Sequence, residues 1–153
     1  VVDGPLLEEP VLSIRQESIM YDAGTEVFTT YKKFALLGAS ADRARFGYEV
    51  FEAFHKNNIP LMPINPKYGE IDGHPCYPSL AALPERPEVV IVALGPVVTE
   101  KVMPEVVASG AQVIWMPPGC FNEAAVKICQ DAGVREMHDI CPVSTLGFMC
   151  AKA

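Results

Sequence analysis

The chain has no long apolar run, no cluster of lysine and arginine, and no Cys-x-x-Cys pair, and each absence excludes a class of protein. Its longest apolar stretches, near Val89 to Leu94 and Val113 to Met116, fall far short of the ~20 residues that a membrane-crossing helix needs. The N-terminus lacks the basic-then-apolar order of a secretory leader. A formal net charge of −7 without a basic patch repels nucleic acid and anionic membranes, so neither is an expected partner. The five cysteines, at 76, 120, 129, 141 and 150, are odd in number and wrongly spaced for a zinc knuckle or a disulfide framework. That pattern implies a reducing, cytoplasmic compartment and no metal site. Cys141 and Cys150, near the C-terminus, are read as small buried apolar side chains, with an exposed, reactive thiol at one of them as the alternative.

What is present is a regular alternation. With 153 residues, half of them apolar, the chain suffices for one domain that buries roughly two-thirds of its unfolded surface. It leaves no room for a second, catalytic domain. From Tyr31 onward, apolar strands alternate with amphipathic helices. The strands are Phe34 to Leu37, Leu61 to Ile64, Glu88 to Leu94, Gln112 to Met116 and Val134 to Met137. Between them come helices over Gly47 to Asn57, from Gly95-Pro96 to Ser109, and from the Asn122 cap to Ala132, with a short Ser79-capped helix before Pro84. The uninterrupted β-branched run of the third strand suits a parallel sheet covered on both faces. The expected fold is therefore α/β: a single doubly wound, Rossmann-like domain over residues 31–153, with a five-stranded, mostly parallel sheet ordered 3-2-1-4-5. Residues 1–30, broken by Gly4, Pro5, Pro10 and Gly24 but apolar at Val11, Leu12, Ile14, Ile19 and Met20, read as an arm that packs on its own domain or on a second subunit. That arm and a fifth strand at the sheet edge point to a homodimer.

In such a sheet, ligands lie at the carboxyl ends of the strands, where strand order reverses. Here those ends are Gly38-Ala39-Ser40, Asn65-Pro66-Lys67, Leu94-Gly95-Pro96 and Met116-Pro117-Pro118-Gly119, all rich in glycine, proline or small residues. Small side chains let backbone approach a ligand, and prolines hold loops in fixed shapes. A protein that binds NAD through its ribose diol carries an acid at the tip of the second strand, whereas this one carries Lys67, which fits a phosphorylated ribose as in coenzyme A or NADP. Arg43 and Arg45, just before the first helix, are suited to a diphosphate, and contact by at least one of them is favoured over a solvated loop in which they pair with Asp42 or Glu49.

The order of these segments resembles the stand-alone CoA-binding proteins, which are similar to the N-terminal domain of the succinyl-CoA synthetase alpha subunit. The matching features run from Gly38-Ala39-Ser40 through Pro63-Ile64-Asn65-Pro66, the Glu70-Ile71-Asp72-Gly73 turn, Cys76-Tyr77-Pro78-Ser79-Leu80 and Leu83-Pro84. They continue with Gly110-Ala111, Trp115, Gly119, Glu123-Ala124 and Cys141, so that the resemblance covers roughly residues 31 to 142. It implies coenzyme A or an acyl-CoA held across the strand ends. Gly38, Ala39 and Ser40 would approach the pantetheine or diphosphate, and Asn65, Pro66 and Lys67 the nucleotide end. Leu94, Gly95, Pro96 and the Met116 to Gly119 loop would line the side near the thiol. The family commonly places an arginine before its C-terminal cysteine; Ile140 stands there in this chain.

The resemblance supplies no catalytic residue, because the synthetase's phosphohistidine sits on another domain. His138, adjacent to Asp139, reads as a satisfied or exposed side chain, His55 as part of a helix's polar side, and His74 as a turn residue. Cys120, ahead of the Asn122 cap, is expected to have a lowered thiol pKa and to be able to form a mixed disulfide with coenzyme A. The sequence thus points to a carrier, sensor or regulatory module for coenzyme A without chemistry of its own. The alternatives are an NADP-dependent reductase, a noncatalytic half of an ADP-forming acyl-CoA synthetase that needs a ligase partner chain, and a scaffold without a ligand.

Overall fold

Short strands joined mostly by helices favour a parallel sheet covered on both faces, and the computed structural model, which describes residues 14–152, adopts one. Helix α1 spans Ile14–Thr30, followed by β1 (Phe34–Leu37), α2 (Phe46–Lys56) and β2 (Leu61–Ile64). A two-residue hairpin, β3 (Glu70–Ile71) with β4 (His74–Pro75), and a 3₁₀ turn over Leu80–Ala82 lead to β5 (Val89–Val92). Then come α3 (Pro96–Ala108), β6 (Val113–Met116), α4 (Glu123–Asp131), β7 (Arg135–His138) and α5 (Pro142–Lys152). The five long-sheet strands are all parallel, which establishes the expected Rossmann-like α/β class.

The strand order is a correction. The sheet runs β2-β1-β5-β6-β7, so the third long strand lies beside the first, with Phe34 opposite Val89 and Leu37 opposite Val92. In chain order this is 2-1-3-4-5, and not the expected 3-2-1-4-5. Burial gives the reason. Val89, Val90, Ile91 and Val92 are all fully buried, and an edge position would leave one flank of that apolar run open. Strand β2 takes the edge instead, with Leu61 and Met62 only half-buried.

Alternate residues of each strand feed two cores. Phe34, Leu36, Val89, Ile91, Val113 and Trp115 face α1, α2 and α5, whereas Ala35, Val90, Val92, Ile114 and Met116 face α3 and α4. Helix α1 is an element that the sequence pattern did not disclose. It sends Phe28 among the rings of Phe34, Phe54 and Trp115, at centroid distances of 5.3 to 5.6 Å. Its Gly24 lies so close to Thr145 and the Trp115 ring that a β-carbon there would sit 2.8 Å from Thr145 Cγ2. Trp115 Nε1 donates to the Ile140 carbonyl at 2.7 Å, and Glu26 pairs with Arg135 of β7. Residues 1–13, the first part of the expected arm, lie outside the described residues. Two smaller corrections concern local signals. Ser79 occupies the cap of the 3₁₀ turn without a side-chain bond, and Cys150 is exposed, 2.9 Å from Asn57 Oδ1, while Cys141 is half-buried.

Candidate functional site

Strand order decides where the crevice opens. With β1 and β5 adjacent and their connections leaving on opposite faces, the reversal point lies between the carboxyl ends of those two strands. A cleft of about 430 Å³ opens there, within the range of small-molecule sites. Gly38, Ser40, Asp42, Arg45, Phe46 and Gly47 form one wall, Asn65, Lys67 and Tyr68 another, and Ala93, Leu94, Gly95, Gly119 and Cys120 the third.

The floor is packed backbone against backbone. Gly38 has φ +95°, and a β-carbon on it would collide with the Ala93 carbonyl oxygen. Gly47, in the first turn of α2, abuts Gly38 in turn, and a β-carbon there would strike the Gly38 carbonyl oxygen. No residue with a side chain fits either position without moving a strand or a helix. The reading of the sequence placed Gly47 at the start of the helix but not among the site residues. Its signal was available: a glycine opening the helix after a glycine-ended strand, the spacing element that permits close helix–strand packing in dinucleotide folds.

Hydrogen bonding redistributes the roles expected of the first loop. The amides of Gly38 and Ala39 both donate to the Ile64 carbonyl, at 3.1 and 3.2 Å, and Ala39 is fully buried, so these two amides are committed to joining β1 to β2. Open donors come instead from α2. Its cap residue, Arg45, makes no side-chain capping bond, and the amides of Phe46 and Gly47 lie in the first turn, where a helix offers no internal acceptor. Both residues line the cleft, which makes this helix end a natural seat for an anion. Ser40 Oγ accepts from the Asp42 amide at 3.0 Å and lies 3.5 Å from Tyr68 Oη. Asn65 is a clamp: its Nδ2 donates to the Ala39 carbonyl at 2.7 Å, and its Oδ1 accepts from the Lys67 amide at 2.9 Å.

The three expected cations separate. Lys67 faces the cleft, with Nζ 5.6 Å from the Tyr68 ring centroid and no carboxylate of the described residues within ion-pair reach. Arg45 also lines it, its Nε 3.7 Å from Asp42 Oδ2. Arg43 does not. Its guanidinium lies 4.9 Å from the Tyr48 ring centroid and 3.7 Å from Asp72 Oδ1, and Asp72 Oδ2 accepts from the Tyr48 hydroxyl at 2.6 Å. That bond holds the Tyr48 phenol above its ordinary pKa, and the trio ties the loop before α2 to the β3–β4 hairpin.

The third wall is uncharged. A β-carbon on Gly95 or Gly119 would meet nothing within 4 Å, so both strand ends present bare backbone to open space. Pro66, Pro96 and Pro118 are exposed next to the cleft without lining it, and Met116 and Pro117 are buried beneath. Asn122 fixes this wall. It caps α4 by accepting from the Ala125 amide at 2.8 Å, and its Nδ2 donates to Glu100 Oε1 at 3.0 Å and to the Pro96 carbonyl at 3.4 Å. Cys120 corrects an expectation: burial raises its thiol pKa, against a weaker opposing hydrogen bond with the Leu94 backbone. The helix it was expected to benefit from starts three residues later, at Glu123.

The histidines lie elsewhere. His138 Nδ1 is 2.7 Å from Glu136 Oε1, and its ring packs on Phe121. His55 is half-buried between Phe51 and His74, at centroid distances of 4.3 and 4.1 Å, and burial, aided by His74, lowers its pKa. None of the three lines the cleft. Among the described residues, no group of three or more histidine, cysteine or acidic side chains is placed to hold a metal ion, and no helix is long and apolar enough to cross a membrane.

Comparison with known proteins gives concordant matches. A family model described as a CoA binding domain matches residues 32–146. An ADP-forming acetate–CoA ligase I of Archaeoglobus fulgidus is 34% identical over 103 residues, which are 63% of this chain and 14% of that protein. An ADP-forming acetate–CoA ligase of Methanocaldococcus jannaschii is 31% identical over 92 residues, 60% of this chain and 13% of that protein. The chain thus spans about a seventh of the length of these curated relatives. Among solved structures, a hypothetical protein from Pyrococcus horikoshii OT3 superposes with a TM-score of 0.76 at 31% identity, covering 82% of this chain and 88% of that one.

Proposed function

The chain belongs to the CoA-binding domain family, and from that premise we propose that it binds coenzyme A or an acyl-CoA in the cleft at the strand ends, as a carrier, sensor or regulatory module without catalysis of its own. The observation that carries this reading is the polarity of the cleft. Arg45, Lys67 and the open first turn of α2 outnumber the single acid Asp42 and make one half cationic, and Leu94, Gly95, Gly119 and Cys120 make the other half neutral. Coenzyme A has the same asymmetry, with phosphates at one end and an uncharged pantetheine at the other. Its diphosphate would take the amides of Phe46 and Gly47, and its ribose phosphate would take Lys67. Bare backbone at Gly95 and Gly119 would leave room for the pantetheine arm.

The lining of the cleft also favours a role without chemistry of its own. Its titratable side chains are Asp42, Arg45, Lys67, Tyr68 and Cys120, and the thiol is held protonated by burial. None is paired with a base in the manner of an activated nucleophile. A titration of the reduced protein with coenzyme A, NAD and NADP tests the reading. Micromolar binding of coenzyme A with none of NAD supports it; binding of NADP in preference to coenzyme A favours a reductase.

A second reading rests on the matched share of the relatives. A chain corresponding to about a seventh of an ADP-forming acetate–CoA ligase is suited to act as the noncatalytic, CoA-holding part of such a ligase, alongside a partner chain that carries the remaining domains. Restored ligase activity on mixing with such a partner would favour it. The division between residues 1–30 and the family-matched region is part of the same proposal, with the N-terminal segment as a packing or dimer-forming element.

A further inference from the structure

We propose that Asp42 is a positioning residue of the cleft: its carboxylate pairs with Arg45 and competes with the diphosphate of coenzyme A for that guanidinium, which lowers the affinity of the site. The inference rests on the reading of the cleft as a coenzyme A site and specifies what sets its affinity.

An acid is out of place where Asp42 stands. Asp42, Arg45 and Lys67 are the charged side chains that line the cleft, and Asp42 alone among them is negative. Its surroundings favour an anion from outside: the amides of Phe46 and Gly47 open α2, and a helix start carries partial positive charge. The backbone nevertheless holds this acid in place. Its amide donates to Ser40 Oγ at 3.0 Å, its carbonyl accepts from the Arg45 amide at 3.0 Å, and its Oδ1 accepts from the Ala44 amide at 3.0 Å. Oδ2 is left for Arg45, whose Nε lies 3.7 Å away. Among the described residues this is the one ion pair whose members both line the cleft.

The neighbouring charges do not share the role. Arg43 is taken by Asp72, and Glu49, in the first turn of α2, lies outside the lining. A phosphate oxygen that is to reach Arg45 must therefore displace Asp42 Oδ2. The turn itself needs only an acceptor at this position, which asparagine or serine also provides. What the carboxylate adds is charge, directed at Arg45. A purely structural acid would stabilise the helix start, and its removal would lower stability without tightening binding.

The experiment is a calorimetric titration with coenzyme A of the wild type, Asp42→Asn, Asp42→Ser, Arg45→Gln and the double variant Asp42→Asn/Arg45→Gln. It is run at low salt and at ~1 M salt, where the Debye length is about 3 Å. An exposed ion pair is worth a factor of about two to five, so each Asp42 variant is expected to bind coenzyme A about threefold more tightly than the wild type at low salt. Arg45→Gln binds more weakly, and in that background Asp42→Asn brings no gain, because the contested group is gone. High salt erases the gain by screening the pair. Unchanged or weaker binding by both Asp42 variants overturns this inference and leaves the coenzyme A reading intact, and so does an equal gain with and without Arg45. Failure of the wild type and every variant to bind coenzyme A overturns both.

Discussion

Gly47 of α2 lies directly against the carbonyl of Gly38 at the end of β1, with no space for a β-carbon between helix and strand. The helix start is thereby brought down onto the cleft floor, where its unpaired amides face the space between β1 and β5. Gly47→Ala is expected to destabilise the fold by about 2 kcal/mol or more, as overpacking against backbone does. Gly95→Ala, where a β-carbon meets nothing, is expected to stay within about 0.5 kcal/mol of the wild type. Urea denaturation of the two variants checks the contrast, and equal stabilities would refute the packing argument.

Helix α1 contributes to the main core through Phe28, which is 8% exposed. Phe28→Ala is expected to cost about 3 kcal/mol, in the range of large-to-small changes among buried aromatic side chains. A loss under about 1 kcal/mol in denaturant unfolding would mean that the helix is peripheral.

His55 is lowered in pKa by burial, with His74 adding to the shift and Asp72 opposing it. Its folded pKa lies below the unfolded value, so its contribution to stability is present above ~6.5 and is lost as pH falls below it. Thermal unfolding from pH 7 to 5 is expected to show this loss, and His55→Phe to reduce it. An identical pH dependence in both proteins would contradict the assignment.

The thiols are expected to divide by burial. Cys129 is pushed up to about 11, and Cys76 and Cys120 are also raised, all by burial first. Alkylation at pH 7.5 followed by mass mapping should modify the exposed Cys150 first and leave these three protected in the folded protein. Modification of Cys120 as fast as Cys150 would revive the reactive-thiol reading that the structure argues against.

The alternation of strands and helices was legible in the sequence because short β-branched runs and helical apolar spacing are local signals. Strand order was not, since right-handed crossovers permit both arrangements and only the full burial of Val89 to Val92 excludes an edge position. Helix α1 was hidden by Gly24, which reads as a helix breaker but serves close packing against Trp115 and Thr145. Of the candidate site, Gly38, Ser40, Arg45, Asn65, Lys67, Leu94, Gly95 and Gly119 converge on one cleft. Arg43 diverges because Asp72, in the β3–β4 turn, and Tyr48, on α2, hold it away from the cleft, a long-range pairing that the turn signal at Asp72-Gly73 does not disclose.

The most direct test is a four-way calorimetric cycle of coenzyme A and 3′-dephospho-coenzyme A against the wild type and Lys67→Ala. The account predicts about tenfold weaker binding when either the phosphate or the lysine is removed, and little further loss when both are removed, because one charge-assisted contact is deleted twice. Equal affinity of the wild type for the two ligands, or independent losses that multiply, would place the ribose phosphate away from Lys67 and contradict it.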